Sequence, residues 1–255
     1  MILAPSKTMD FEADAPSFIK PSKPVFITEA NHIAATLERL SQDQLEIIMK
    51  ISPAISKNVH VMYASWSHAI SKSALWAYRG DVYKGMYADT LSQADVAWAN
   101  DHLLIMSGLY GLLRPTDQIS AYRLEMKTTI SINSSKDLYA YWGRRLGDYV
   151  EQRADGVLLN LCSDEYGKAV TRHISKNVAI VTPLFFDNRP NGTVGTAPIY
   201  NKMMRGVMAR WVIDNRINDP EGLKAFTGHG YSYDSTRSTV NAPAFYRALM
   251  KPLVF

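Results

Sequence analysis

An apolar run leads into a glycine-containing turn and a charged end in the stretch His102-Leu103-Leu104-Ile105-Met106-Ser107-Gly108-Leu109-Tyr110-Gly111-Leu112-Leu113-Arg114-Pro115. Short apolar runs bounded by turn residues are typical of buried strands. Comparable runs occupy residues 1–4, 74–78, 156–161, 177–182 and 184–186. Elsewhere, apolar residues recur at helical spacing over residues 28–40, 41–50, 56–68, 137–153 and 199–217. This alternation of strands and helices predicts an α/β fold with a mixed sheet.

The chain has no segment that would separate two domains. Its 255 residues are 47% hydrophobic and 20% charged, which allows one sizeable core. No linker rich in proline, glycine and serine divides it, and neither does a block of like charge. The loosest stretch lies around residues 187–198, and its part from Asp187 to Gly192 is typical of a turn between two apolar segments. We therefore expect a single compact domain over residues 1–255.

Charge and cysteine content narrow the functional class. The net charge of +4 favours anionic partners only weakly, because it is spread over the whole chain. The single cysteine, Cys162, excludes an internal disulfide and is compatible with a reducing cytosol. No apolar run is long enough for a signal segment at the start or for a membrane span further on. We expect a soluble cytoplasmic protein that does not enter a membrane.

Common cofactor and metal motifs are absent from the sequence. It has no Gly-x-Gly-x-x-Gly, no Walker loop, no cysteine pair and no His-Glu-x-x-His, and its six histidines are scattered. These motifs are the usual sequence signatures of bound dinucleotides, nucleoside triphosphates and zinc. The sequence therefore predicts no cofactor and no metal site.

Charged residues lie among glycines and aromatics in three stretches, at residues 80–85, 107–115 and 122–126. Glycines let a ligand approach the backbone, and polar residues that follow parallel strands meet at one edge of a sheet. The resulting candidates for one shared cleft are Ser6, Lys7, Asp81, Tyr83, Lys84, Ser107, Arg114, Arg123, Glu125, Ser163, Asp164 and Glu165. The basic members suit phosphate or carboxylate groups, and the acids suit proton transfer or a cation. The alternative is structural, with Asp164 capping a helix and the arginines pairing with nearby acids.

A second candidate site is the pair of predicted helices within residues 40–68. Ser41 with Gln44 forms a capping-box pattern, and Lys50, Ser52 and Lys57 flank the break between the helices. A helix-hairpin-helix unit binds DNA phosphates in this way, through backbone N–H groups at a helix start and nearby cations. However, the usual hairpin glycine is missing and Pro53 lacks a donor, so an ordinary pair of antiparallel helices stays open as the alternative.

The last predicted helix carries two cations on one face. Lys202 and Arg205 are three residues apart, which places them together on a helix surface. Such a pair points either at an anion or at water. Gly206 beside Arg205 leaves room for a close approach.

Several motifs together resemble one known family. They are Pro5-Ser6-Lys7-Thr8-Met9, Gly80-Asp81-Val82-Tyr83, the stretch at residues 107–115, Tyr122-Arg123-Leu124-Glu125-Met126 and Asn160-Leu161-Cys162-Ser163-Asp164-Glu165-Tyr166. In this order they resemble the YaaA family of bacterial peroxide-stress proteins, from the first residues to about Tyr233. The resemblance implies one compact α/β domain with a positively charged cleft and a helix-hairpin-helix-like element, matched here by residues 40–57. It also implies binding to double-stranded and distorted DNA, and a cytosolic role in limiting damage by hydrogen peroxide and iron.

Three functional hypotheses follow. In the first, duplex DNA binds without sequence readout to Lys7, Lys50, Ser52, Lys57, Lys84, Arg114, Arg123, Lys202 and Arg205. In the second, the cleft is the site of an enzyme that acts on a small anionic, nucleotide-like or nucleobase-like molecule, with Glu125, Asp164, Glu165 and Tyr166 as catalytic candidates. In the third, Asp81, Asp164 and Glu165 sequester iron.

Overall fold

The computed structural model describes residues 1–188 and 192–248, so that part of the predicted turn from Asp187 to Gly192 lies outside the described residues. Within these ranges the α-helices are α1 (Ile27–Glu38), α2 (Gln42–Met49), α3 (Pro53–Ala64), α4 (Ala74–Ala77), α5 (Asp81–Met86), α6 (Gln93–His102), α7 (Leu138–Trp142), α8 (Arg145–Glu151), α9 (Asp164–Thr171) and α10 (Pro198–Asn215). The strands are β1 (Ile2–Leu3), β2 (Thr8–Met9), β3 (Ser71–Ser73), β4 (Tyr78–Arg79), β5 (Leu104–Ser107), β6 (Gly111–Leu113), β7 (Gln118–Ser120), β8 (Val157–Leu161), β9 (Ala179–Val181), β10 (Leu184–Asn188), β11 (Val194–Gly195), β12 (Ser232–Tyr233) and β13 (Ala244–Arg247). This mixture confirms the predicted α/β class.

The central sheet has five strands in the order β6-β5-β1-β8-β9. Strands β5, β1, β8 and β9 run parallel, and β6 returns antiparallel to β5. Its strands are short apolar runs such as Leu104–Ser107, whose four residues are all buried. Burial on both faces explains why these runs lack the alternation of a half-exposed strand.

A second sheet has the order β11-β10-β13-β12, with β10 and β13 parallel and the outer pairs antiparallel. Helix α10 packs on α5 and reaches α6, β1, β8 and β10. Two glycines bring α5 and α10 close together, because a Cβ on Gly206 would lie 1.8 Å from the Val82 carbonyl oxygen and one on Gly85 would lie 2.2 Å from that of Met203. This crossing holds the residues of α10 against the central sheet.

Two predicted elements differ from the structure. The apolar run at residues 74–78 predicts a strand, but Ala74–Ala77 form the helical turn α4. All four of its side chains are buried, so the run carries no exposure pattern that separates a short helix from a strand. The helix predicted over residues 137–153 is two helices, α7 and α8, because Gly143 between them has a φ of 49°.

The predicted pair of helices at residues 40–68 is formed by α2 and α3. Ser41 and Gln44 make the reciprocal hydrogen bonds of a capping box at the start of α2. The second helix begins at Pro53 and not at residue 56, because proline is well tolerated in the first turn, where its missing N–H has no helical partner. Lys50 between the helices has a left-handed conformation, with a φ of 52°.

None of the helices formed by residues 1–188 and 192–248 combines the length and the apolar character that crossing a membrane requires.

Candidate functional site

Three parallel strands of the central sheet end at the same edge. Register places Leu3 of β1 beside Ile105 of β5 and Leu161 of β8. The segments that follow are therefore neighbours, and they begin at Ala4, Gly108 and Cys162. Strand β5 pairs with β1 on one side, and β8, which comes later in the chain, pairs with β1 on the other side. The strand order therefore reverses direction at β1, which makes this edge a topological switch point, a common place for ligands in α/β folds.

Two more segments are held against this edge by close backbone contacts. Gly80 has a φ of 107°, and a Cβ there would lie 2.6 Å from the Ser6 hydroxyl oxygen. A Cβ on Gly108 would lie 2.6 Å from the Leu124 carbonyl oxygen. Only glycine fits at either position, and both contacts bring segments distant in sequence to the strand ends.

Alternating charges connect these segments. Lys7 Nζ lies 2.7 Å from Glu125 Oε1, and Lys127 Nζ lies 3.4 Å from both Glu125 Oε2 and Glu165 Oε2. We call the site formed by Lys7, Glu125, Lys127, Glu165 and Tyr166 the cleft. Its four charged side chains form a chain of opposite signs, so the two lysines are already paired.

The pairing sets the charge states in the cleft. Burial acts to raise the pKa of Glu125, but the hydrogen bond and charge of Lys7, helped by Lys127, outweigh burial and lower it below its ordinary value. The carboxylates of Glu165 and Glu125 raise the pKa of Lys127. Burial, with Tyr122, Glu165 and Glu125 nearby, raises the pKa of Tyr166. At neutral pH the cleft therefore presents the Glu125 carboxylate, the Lys127 ammonium and a neutral phenol.

Hydroxyl groups continue inward from the cleft. The Tyr122 hydroxyl is 2.6 Å from that of Tyr78 and 2.7 Å from the Ser107 hydroxyl. Burial raises the pKa of Tyr122 to about 12. Because Tyr122, Tyr78 and Ser107 are all buried, these bonds satisfy groups that would otherwise be costly in the core.

Beside the cleft, Cys162 and Arg205 lie close enough to interact electrostatically. Burial raises the pKa of the Cys162 thiol, an effect that Arg205 reduces without cancelling. The thiol is therefore protonated at neutral pH and is a poor nucleophile. Burial lowers the pKa of Arg205, while Cys162 and Asp164 act to raise it. In the described part of the chain Arg205 makes no hydrogen bond or ion pair, which leaves its guanidinium available to an anion.

The other predicted cations have different environments. Arg114 is bound to the buried carboxylate of Asp117 and donates to the Lys23 carbonyl. Arg123 is half-buried, and its Nε has no hydrogen-bond partner among the described residues. The remaining predicted lysines are exposed and make no ion pair within residues 1–188 and 192–248; they are Lys50, Lys57, Lys84 and Lys202.

The catalytic candidates do not all meet. Glu125, Glu165 and Tyr166 lie together in the cleft, whereas Asp164 is exposed at the start of α9 and interacts electrostatically with Arg205. Ser163 precedes α9, but its side chain makes no capping hydrogen bond. Among the described residues no three His, Cys, Asp or Glu side chains are grouped so as to hold a metal ion, so Asp81, Asp164 and Glu165 do not form the iron site of the third hypothesis.

Sequence reasoning missed Lys127, which joins the two carboxylates of the cleft. Its position two residues after Glu125 was a usable signal, because it directly follows the motif at residues 122–126. It also missed the role of Tyr122, whose hydroxyl joins those of Tyr78 and Ser107. Nothing in the local sequence indicates this role.

Comparison with known proteins identifies the family. The family described as peroxide stress protein YaaA matches residues 1–237. The chain belongs to this family. Among its curated relatives, UPF0246 proteins of Bordetella pertussis and Bordetella parapertussis are each 37% identical to it, and one of Bordetella petrii is 35% identical. Each alignment covers 96% of this chain and 98% of the relative.

Membership in the YaaA family gives the chain a role in peroxide stress. It confirms the resemblance inferred from the ordered motifs. The cleft lies within the matched residues, as do α2 and α3.

Proposed function

We propose that this YaaA family member is a cytoplasmic protein, folded as a single domain over residues 1–255, that binds duplex or distorted DNA without sequence readout and limits oxidative damage linked to iron. The observation that carries the proposal is the exposed turn between α2 and α3. We call residues 42–64 the α2–α3 hairpin. It combines Lys50 and Lys57, which have no ion-pair partner in the described part of the chain, with a helix start that lacks a side-chain cap and whose first residues are exposed.

The start of α3 has free backbone donors. Pro53 at its first position has no N–H, and the Ser52 side chain makes no capping hydrogen bond. The N–H groups of Ala54 and Ile55 therefore lack intrahelical partners, and both residues are exposed. Helix starts of this kind attract phosphate because the helix dipole places partial positive charge there.

Lys50 occupies the position where a hairpin glycine is expected. Its left-handed backbone conformation, with a φ of 52°, is the one that glycine adopts most easily. The turn can thus form without glycine, at a strain cost of about 1 kcal/mol. Lys50 in place of glycine adds a positive charge near the N–H groups of Ala54 and Ile55 at the start of α3.

Charge reversal in the α2–α3 hairpin is expected to weaken DNA binding. In Lys50→Glu/Lys57→Glu, affinity for a linear duplex should fall about tenfold or more at low salt, because two phosphate contacts become repulsive. The slope of log affinity against log salt should become shallower by about 2, one for each lost contact. Fluorescence anisotropy at several salt concentrations measures both effects on linear, bent and single-stranded DNA.

Two variants provide the controls for this experiment. Lys136→Glu/Lys176→Glu makes the same change in net charge at exposed lysines outside the hairpin, and its affinity should stay close to that of the parent protein. Lys50→Gly keeps the left-handed turn and removes one charge, so its salt slope should change by about 1. Equal losses in the hairpin pair and the control pair, or an affinity indifferent to salt, would contradict the proposal.

A second candidate function is supported by the pairing of charges in the cleft. Lys7 and Lys127 are neutralised by Glu125 and Glu165, so the cleft is not a simple phosphate-binding surface. A ligand that both donates and accepts hydrogen bonds suits it better, as a nucleobase or nucleotide does. In an enzyme of this kind the Glu125 carboxylate accepts a proton or a hydrogen bond, and the neutral Tyr166 hydroxyl donates one.

Glu125→Gln separates the two functions. DNA affinity should be unchanged or higher, because a negative charge is removed. Nucleosides and nucleoside monophosphates are the probes for the cleft, and saturation at 100 times Kd should stabilise the parent protein by about 2.7 kcal/mol, a rise in Tm of roughly 5–11 °C. The rise should be lost in Glu125→Gln. Parent protein that shows no rise with any of these probes would count against the enzyme.

A further inference from the structure

A cavity of about 380 Å³ lies at the opposite edge of the central sheet from the cleft. It is lined where β1, β5 and β8 begin, and by residues near the ends of α6, α8 and α10. Its volume falls in the range of about 300–1,000 Å³ that is usual for small-molecule sites. It belongs to neither the cleft nor the α2–α3 hairpin.

The floor of this cavity is apolar. Among the residues that line it, Ile2, Leu104, Leu158, Val212 and Leu223 are buried. A hydrocarbon chain placed here would be removed from water, a gain of about 0.8 kcal/mol for each buried methylene group.

The mouth of the cavity is acidic. Asp101, Asp155 and Asp219 line it and are exposed. The only lysine or arginine in the lining is Arg153, whose guanidinium lies 5.1 Å from the centre of the Tyr149 ring and pairs with no aspartate among the described residues. This distribution favours a positively charged ligand.

The backbone around the cavity contributes negative charge, as the aspartates do. Helices α6, α8 and α10 all end near the cavity, and helix ends carry partial negative charge. The Met1 amine lines the cavity and donates to the His102 carbonyl at 2.6 Å, and burial lowers its pKa to about 6. At neutral pH this amine is therefore mostly uncharged and opposes a cation little.

The arrangement argues for an organic cation over a metal ion. In the part of the chain that the structure describes, these carboxylates form no group of three able to hold a metal. Divalent ions need several oxygens at about 2.0–2.6 Å. Carboxylates that stand apart around an apolar floor instead match ammonium groups separated by methylene chains.

We propose that this cavity binds an aliphatic polyamine, with its methylene chain over the floor formed by Ile2, Leu104 and Leu158 and its ammonium groups at Asp101, Asp155 and Asp219. The site is independent of DNA binding, since it uses no residue of the α2–α3 hairpin.

Isothermal titration of the full chain with spermidine, without DNA, tests the proposal. We expect saturable binding of one spermidine per chain, and weaker binding of 1,4-diaminobutane because it has fewer ammonium groups. Asp101→Asn/Asp155→Asn should weaken spermidine binding about tenfold or more. Asp43→Asn/Asp89→Asn, the same charge change at exposed acids away from the cavity, should leave it unchanged.

A steric variant covers the case in which the double aspartate variant does not fold. Ala154→Trp places a large side chain on a half-buried lining residue and should block spermidine while circular dichroism shows intact secondary structure. Three results would overturn the proposal. The heats of spermidine titration do not saturate, or magnesium at the same concentration of positive charge displaces spermidine. The third is that Asp43→Asn/Asp89→Asn weakens spermidine binding as much as the cavity variants do.

Discussion

Gly206→Ala is expected to destabilise the protein by about 3 kcal/mol, a large effect for one added methyl group. The added Cβ would lie 1.8 Å from the Val82 carbonyl oxygen and 2.9 Å from the Met86 backbone nitrogen. Both contacts are with the backbone of α5, which cannot rotate away as a side chain can. The two helices must therefore separate, and apolar contacts between them are lost.

Thermal and denaturant unfolding measure this effect. A loss of about 3 kcal/mol corresponds to a fall in Tm of roughly 6–12 °C for a chain of this size. Gly167→Ala is the matched control: Gly167 also lies within a helix, α9, but a Cβ there would come no closer than 3.2 Å, to side-chain atoms of Asn160, and alanine is the better helix former. If both variants lose the same stability, the α5–α10 crossing does not depend on the missing Cβ.

Gly206→Ala also bears on the candidate sites. Arg205 precedes Gly206 on α10, and Lys84 lies on α5, so separation of the helices would move both cations. The α2–α3 hairpin is not part of this crossing. We therefore expect the folded fraction of Gly206→Ala to retain the contribution of Lys50 and Lys57 to DNA binding.

Asp117→Ala is expected to cost about 3 kcal/mol as well, for an electrostatic reason. The buried carboxylate accepts hydrogen bonds from the Ser22 hydroxyl at 2.6 Å, the Arg114 backbone N–H at 2.8 Å and the Arg114 guanidinium at 2.9 and 3.1 Å. Removing it leaves these donors without their acceptor in a site that is largely closed to water.

Denaturant unfolding of Asp117→Ala should be compared with that of Asp148→Ala. Asp148 also pairs with an arginine, Arg144 at 3.1 Å, but both side chains are exposed, so the loss should be below about 0.5 kcal/mol. A small effect at Asp117 would mean that Arg114 is not held by this pair. Arg114 would then be held only by its hydrogen bond to the Lys23 carbonyl and would be more available to DNA.

Local signals in the sequence predicted the main elements well. The apolar runs at residues 1–4, 102–106 and 156–161 contain or overlap β1, β5 and β8, and the pattern at Ser41 and Gln44 is a real capping box. These signals work because strand burial and helix capping depend on residues within a few positions of one another. The ordered motifs likewise identified the family.

Other features could not be predicted in this way. The run at residues 74–78 is buried on every side, so its apolar character does not distinguish a helical turn from a strand. At Lys50, a residue that rarely takes a positive φ does so because the two helices on either side require the turn. In both cases the packing of neighbouring elements overrides local preference.

The same division holds for the candidate sites. Residue types and spacing were sufficient to predict an α/β fold and a charged edge at the strand ends. They also predicted the helix that carries Lys202 and Arg205 and the pair of helices flanking Lys50. Only the folded chain shows that Lys7 and Lys127 are neutralised by Glu125 and Glu165, and that Lys50 and Lys57 are not paired within the described residues. Coulomb attraction depends on distances of a few ångströms between residues far apart in sequence, and strand register together with the close approaches at Gly80 and Gly108 sets those distances.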